Sequence, residues 1–203
     1  MKLYEFEAFP NPKRVRMFLA EKGVDIERVQ VNVPAGEHRT EKYTAKNPDA
    51  TVPFLELDDG SIISGCVAIS RYIEDSVPAK ALMGDAPTDA ATITMWQRRV
   101  EEGLMDAGTT YFHHATDGLG DLEPFQVKEW GVKNGERAKA TIARLDEQLS
   151  AHNYIAGDKF SIADITAFAG YGFAKYVGLV DGIDAPHVDR WFANISERPS
   201  AGA

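Results

Sequence analysis

The period of the apolar residues changes once along this 203-residue chain, close to Pro78. Up to that point strand-like alternation and short helical stripes take turns. Beyond it every apolar stripe recurs at three- and four-residue spacing. A period of two buries one face of a strand, and a period near 3.6 buries one face of a helix. The switch therefore divides the chain into a mixed α/β body and an all-α body. The expected boundaries are residues 1–78 for the first body, a linker over 79–88 carrying Gly84 and Pro87, and residues 89–203 for the second.

Residues 2–6 alternate and are rich in aromatics, which predicts a strand. Pro10 and Pro12 break it. Asn11 is placed to cap a helix running from Lys13 to Lys22, with Val15, Phe18 and Leu19 on one face and Gly23 closing it. Val29, Val31 and Val33 alternate with Gln30 and Asn32 as in a half-buried strand. Residues 34–51 are polar and turn-rich, a loop with a short helix. Phe54 to Leu57 forms a strand, Asp58 to Ser61 a hairpin turn of the Asp-Gly type, and Ile62 and Ile63 open the return strand. Ala68, Ile69, Tyr72 and Ile73 then fall at helical spacing. The order is β-α-β-(α)-β-β-α.

In the second body, Ile93, Trp96, Val100 and Leu104 share one helical face. Ala138, Ile142, Leu145 and Leu149 share another, and Val188, Trp191 and Ile195 a third. Ser161 and Asp164 form a capping box, with Phe160 and Ile165 as its hydrophobic staple.

Charge and cysteine content narrow the function classes. Asp and Glu number 31 against 22 Lys and Arg, a net charge of −9, which argues against nucleic acid as the main partner. A small anion needs only a local positive site and stays open. The single cysteine, Cys66, excludes an intrachain disulfide and a C-x-x-C motif. The first residues lack the apolar run of a secretory signal, and no stretch approaches the length that spans a bilayer. The expectation is a soluble cytoplasmic protein with no membrane contact.

Six segments carry a resemblance: PNPKRVRMFLAEKG (10–23), GEHRTEKYTAKNPDATVPFLELDDG (36–60), AISRYIE (68–74), MWQRRVE (95–101), FSIADITAF (160–168) and WFANISERPS (191–200). In this order and spacing the chain resembles the cytosolic glutathione transferase superfamily. The resemblance implies a thioredoxin-like N-terminal domain, an all-helical bundle as C-terminal domain, and a homodimer. It implies that glutathione is bound as co-substrate and its thiolate conjugated to a small electrophile, with no metal or redox cofactor. Two alternatives accompany it. One is a non-catalytic binding or scaffold protein of the same fold. The other is a glutathione-dependent thiol-disulfide enzyme using Cys66.

The resemblance also assigns residues. Thr51, Val52 and Pro53 match the segment in which family members hold the Val-Pro bond in cis and present the Val peptide to glutathione as to an added strand. His38 stands where a side chain often meets the glycine carboxylate, with Arg39 and Lys42 as nearby cations. Gly65 and Cys66 replace the family's Glu-Ser pair at the γ-glutamyl site. Losing the Glu removes a charge-assisted hydrogen bond of about 1.5–3 kcal/mol, roughly 10- to 100-fold in affinity. Restoring the pair is expected to tighten binding at least about tenfold. Cys66 is thus read as a binding residue at a helix N-terminus. Phe9 stands where related sequences have the catalytic Ser, and Pro12 lacks even an N–H. Asn11 is the only side chain of that loop with an N–H donor, so it is the expected stabiliser of the thiolate. Phe9, Met105 and Tyr111 are expected to line the acceptor pocket, with Phe112, Tyr171 and Tyr176 as further walls. His113 and His114 read as a surface pair and Tyr4 as core.

Overall fold

The structure, a computed structural model, describes all residues, 1–203. By density of contacts the chain divides into Met1–Lys80 with Gly202–Ala203, and Ala81–Ala201. The helix α4 (Pro87–Val100) begins before the end of the segment expected as linker.

The first unit contains β1 (Lys2–Glu5), α1 (Pro10–Glu21), β2 (Glu27–Gln30), α2 (Glu41–Thr44), β3 (Phe54–Glu56), β4 (Ile62–Ser64) and α3 (Cys66–Ser76). The sheet order is β2-β1-β3-β4. β1 runs parallel to β2, as a crossover through α1 requires, and antiparallel to β3, which pairs antiparallel with β4. This is the thioredoxin-like arrangement. Alternation along β1 sends Leu3 and Glu5 to one face and Tyr4 to the other. Tyr4 packs there with Val31, Tyr43 and Phe54, its ring stacked 4.4 Å from that of Phe54. Its hydroxyl donates to Glu56 Oε2 at 2.5 Å. Burial and that carboxylate push the phenol up to about 12.

Helix α1 starts three residues earlier than the sequence suggests. Phe9 is its N-cap in extended conformation, Pro10 its first residue, and no side chain caps it. Proline has its φ preset and no N–H to lose, so two prolines in a first turn cost little. Asn11 therefore lies inside the first turn rather than before it. The other end follows expectation. Gly23 has φ +66, and the bonds from Gly23 N to Ala20 O (3.1 Å) and Val24 N to Leu19 O (2.9 Å) form a Schellman motif.

Glu5 and Arg16 are buried together, Nη1 donating to Oε2 at 2.5 Å. Arg16 also donates from Nε to Ala203 O and from Nη2 to Glu7 O, both at 3.0 Å, and Gln30 Nε2 donates to Glu5 Oε1 at 3.2 Å. A second buried pair, Lys22 with Glu74 at 2.9 Å, ties the end of α1 to α3.

The second unit is helical. α4 runs through a π turn (Glu101–Met105) into α5 (Asp106–Ala115), followed by α6 (Lys128–Ala151), α7 (Ile162–Tyr176) and α8 (Pro186–Ser196). All three expected stripes are buried. A Cβ on Gly103 would stand 2.5 Å from Thr141 Oγ1, so the π turn lies directly against α6. Asp146 of α6 caps α8 from outside, accepting from His187 N at 2.7 Å and Val188 N at 3.0 Å. No helix is long and apolar enough to cross a membrane.

The capping box forms as read, with Asp164 as its hub. Fully buried, Asp164 accepts from Ser161 N, Ile155 N and Trp191 Nε1, each at 3.0 Å, and from Ser161 Oγ at 3.1 Å. Desolvation raises its carboxyl from 3.8 to about 6, against the pull of those bonds. The folded state then holds the proton more tightly than the unfolded, so this group adds stability as pH falls through 6 toward 4. Asp164→Asn keeps the shape but leaves one buried N–H facing a donor. Unfolding in urea should show a loss of about 1–3 kcal/mol. The gap to the unmodified protein should widen as pH falls from 7 toward 4.5. Equal stability at both pH values would refute this account.

Candidate functional site

The first turn of α1 meets the N-terminus of α3. Cys66 Sγ lies 3.4 Å from Asn11 O and 3.7 Å from Asn11 Oδ1, joining residues 55 positions apart. Both oxygens are acceptors and a thiol has one proton, so Sγ–H donates to one of them at a time, the main-chain oxygen being the nearer. Cys66 is buried, which further weighs against a role as attacking thiolate. Asn11 Oδ1 also accepts from Arg14 Nη1 at 2.9 Å. Arg14 is itself buried. With Oδ1 held inward, Asn11 Nδ2 donates to nothing in the protein and the side chain stays partly exposed. The expectation that a cap would occupy the amide oxygen fails, but Arg14 occupies it instead and leaves the same group free. Phe9 stands beside it, half-buried and edge-on to Phe6 at 4.9 Å.

The Val52–Pro53 bond is cis. Asn47, buried, donates from Nδ2 to Thr51 O at 2.9 Å and to Thr51 Oγ1 at 3.2 Å, which steadies the segment before it. No hydrogen bond within the protein engages the Val52 main chain. His38 sits in a 3₁₀ turn, Glu37–Arg39, behind Gly36 at φ +76. It is only 7% exposed, and its Nδ1 has no partner. Desolvation, then the charge of Arg39, lower its pKa below 6.5, so it is a neutral hydrogen-bonding ring at pH 7 rather than a cation. Arg39 and Lys42 are exposed. Lys42 donates to Tyr43 Oη at 3.0 Å.

Gly65 caps α3 at φ +88, with open space where a Cβ would be, and Cys66 is the first residue of the helix. The space admits a side chain, but the backbone does not welcome one. Holding a non-glycine residue there costs about 1–3 kcal/mol. That matches the 1.5–3 kcal/mol a restored carboxylate contact would return. The strain is present with and without ligand, so it lowers the stability of a Gly65→Glu variant and leaves the expected gain in affinity standing.

The helical residues separate into two groups. Met105 is fully buried beside Gly170 of α7 and lines no open surface. The π turn widens the helix by one residue there, so Leu104 and Met105 both turn inward. Tyr171 is buried too, its hydroxyl donating to Asp189 Oδ1 at 2.8 Å. Tyr111 is half-buried against Gly135 of α6. Phe112, Phe173 and Tyr176 form an aromatic row with centroids 5.6 and 6.1 Å apart, ending in Tyr176 at 79% exposure. His113 and His114 are not a free surface pair. His113 Nδ1 lies 2.6 Å from Glu123 Oε1, and His114 Nδ1 accepts from Val127 N at 3.2 Å, so the two rings pin the 116–127 segment to α5. Arg14 and Asn47 were missed by the sequence reading. The only trace of Arg14 was its position three residues after Asn11, where side chains of one helix meet.

These features coincide with a known family. Residues 10–76 match the model described as glutathione S-transferase, N-terminal domain, and residues 104–199 the one described as glutathione S-transferase, C-terminal domain. The chain is 40% identical to glutathione S-transferase 2 of Saccharomyces cerevisiae over 203 residues, covering 98% of this chain and 87% of that protein. The crystal structure of Gtt2 from the same organism matches with a TM-score of 0.94 over 100% of this chain and 99% of that one. A glutathione S-transferase domain-containing protein of Marinobacter aquaeolei VT8 matches at 48% identity and TM-score 0.96, over 98% and 99% of the two chains. The chain belongs to the glutathione S-transferase family.

Titration calorimetry with glutathione separates the two positions of the γ-glutamyl site. Cys66→Ser should hold or tighten binding by a few-fold, since a hydroxyl is the better donor. Gly65→Glu with Cys66→Ser should tighten binding at least about tenfold, while the strain at residue 65 shows as a loss of about 1–3 kcal/mol in unfolding. No gain in affinity would show that the γ-glutamyl end is held in another way.

Proposed function

We propose that this protein binds glutathione and conjugates its thiolate to a small electrophile, with Asn11 as the hydrogen-bond donor to sulfur. The observation that carries the reading is the Asn11 amide, its oxygen tied inward and its Nδ2 free. Helix N-termini usually stabilise an anion through free backbone N–H groups. In α1 that supply is thin. Pro10 and Pro12 have none, and Lys13 N already donates to Phe9 O at 3.3 Å. The side-chain amide of Asn11 fills the deficit.

The work required is modest. A free thiol with pKa near 8.5 is only a few per cent ionised at pH 7, and a shift of about 2 units needs about 2.7 kcal/mol. One hydrogen bond to a charged sulfur supplies about 1.5–3 kcal/mol and the helix dipole about 0.3–1. The thiolate then attacks the electrophilic carbon, a C–S bond forms, and the displaced electron pair leaves with the leaving group or takes up a proton.

In this reading the Val52 peptide pairs with the cysteinyl main chain of glutathione, with Thr51 and Pro53 framing it. His38 donates to the glycine carboxylate, and the N-terminus of α3 at Gly65 and Cys66 receives the γ-glutamyl carboxylate. Within the helical unit, Tyr111 and the Phe112–Phe173–Tyr176 row are aromatic surface suited to an apolar acceptor. The protein acts in the cytoplasm as a homodimer and needs no cofactor beyond its co-substrate. Exposed Met95 on α4 and Trp130 on α6 are apolar surface that a second copy would cover. A monomer mass in sedimentation would overturn the dimer.

Asn11→Ala separates this reading from a non-catalytic scaffold. Conjugation of a generic aromatic electrophile should fall about 10- to 100-fold in kcat, and the pH at which the rate rises should move upward. Stability should fall by about 1–3 kcal/mol, because buried Arg14 loses a partner, so kcat is read well below the unfolding temperature. An unaltered rate and pH profile would remove Asn11 from the mechanism. No conjugation by the unmodified protein, with glutathione bound, would favour the scaffold.

A further inference from the structure

We propose that Arg14 is a positioning residue for this reaction. It aims the Asn11 amide so that Nδ2, and not Oδ1, faces the thiolate. The proposal rests on the reading of Asn11 as the donor to sulfur.

A carboxamide has two nearly isosteric ends of opposite character. Turned one way it donates to a thiolate; turned the other it presents a lone pair to a negative sulfur. A bare asparagine in a loop samples both. Here the choice is made by what lies behind the amide. Arg14 has only donors to offer, and its Nη1 is 2.9 Å from Oδ1. Rotating the amide would set its NH₂ against the guanidinium, lose that bond and place two donors in contact. The Cys66 thiol has one proton and lies nearer to Asn11 O, at 3.4 Å, than to Oδ1, at 3.7 Å, so it holds the main chain of Asn11 rather than turning its amide. Arg14 thus selects one orientation of the amide.

The placement follows from helix geometry. Residues three apart on a helix share a face, and long side chains lean back toward the N-terminus. Arg14 is 4% exposed, so the guanidinium is held in place rather than swinging in solvent. It is also permanently charged. A cation on the carbonyl end draws electron density from the amide and makes Nδ2–H the stronger donor, so the same contact both orients and sharpens the group.

A positioning residue acts through its partner, and a double-mutant cycle tests that directly. Arg14→Met should lower kcat for conjugation about tenfold while the KM for glutathione stays within about twofold. Arg14→Lys, which keeps a cationic donor, should restore most of the rate. In the Asn11→Ala background, Arg14→Met should cause no further loss. If the two losses multiply instead, Arg14 acts independently of Asn11 and the proposal fails, while the donor role of Asn11 stands. If Asn11→Ala alone has no effect, the underlying reading fails first. Should Arg14→Met not fold, a crystal structure of the unmodified protein with glutathione decides. Nδ2 toward sulfur with Oδ1 on Arg14 is the expected result, and Oδ1 toward sulfur or Arg14 withdrawn overturns the proposal.

Discussion

The buried Glu5–Arg16 pair fixes where the first unit keeps its chemistry. Two charges taken out of water are tolerated only when each lone pair and proton finds a partner. Removing one member of such a pair costs about 3–5 kcal/mol. Here Arg16 reaches Glu5, Glu7 O and Ala203 O, and Glu5 takes Gln30 as well. Glu5 belongs to β1 and Arg16 to α1, so the pair sets how α1 lies along the strand. Arg14 and Asn11 lie in the turn just before it. The position of the Asn11 amide is inherited from that anchor and from the opposing end of α3.

The two helix N-termini of the first unit are built differently. α1 opens with two prolines around Asn11, so its end is poor in N–H groups and gains a side-chain donor in exchange. α3 opens behind a glycine at positive φ, with no acidic residue in its first turn, so its own N–H groups and the Cys66 thiol are the donors it has. A thiolate and a carboxylate place different demands on such ends. A sulfur anion is large and diffuse and is served by a directed donor close at hand. A carboxylate is compact and is served by several backbone N–H groups together.

The second unit owes its order to a carboxylate. Asp164 gathers the start of α7, the 155 turn and the indole of Trp191 on α8, and Asp146 gathers the start of α8. Neither touches the proposed chemistry. They hold α7 and α8 in place, and on α7 the aromatic residues that remain accessible are Phe173 and Tyr176 rather than Tyr171. The π turn has a similar effect on Met105, which it turns into the core.

Much of this was legible in the residues alone, wherever the cause lies within a turn or two of chain. The Asp-Gly hairpin, the Gly23 terminator, the Ser161–Asp164 box and the three helical stripes each carry their reason locally, whereas the valine alternation overruns its strand, which spans Glu27–Gln30 and leaves Val31 and Val33 beyond it. The order of the matching segments was enough to point to the family. What tertiary structure decided were the contacts between residues far apart in sequence: Cys66 on Asn11, Arg16 on Glu5, His113 on Glu123, and the burial of Met105 and Tyr171. Local spacing cannot report these, because they depend on how one helix lies against another. Asn11 could be named from the sequence as the loop's only side-chain donor. Which end of its amide faces outward is settled by Arg14, whose guanidinium the tertiary packing buries behind it, since a carboxamide has no orientation until something packs behind it.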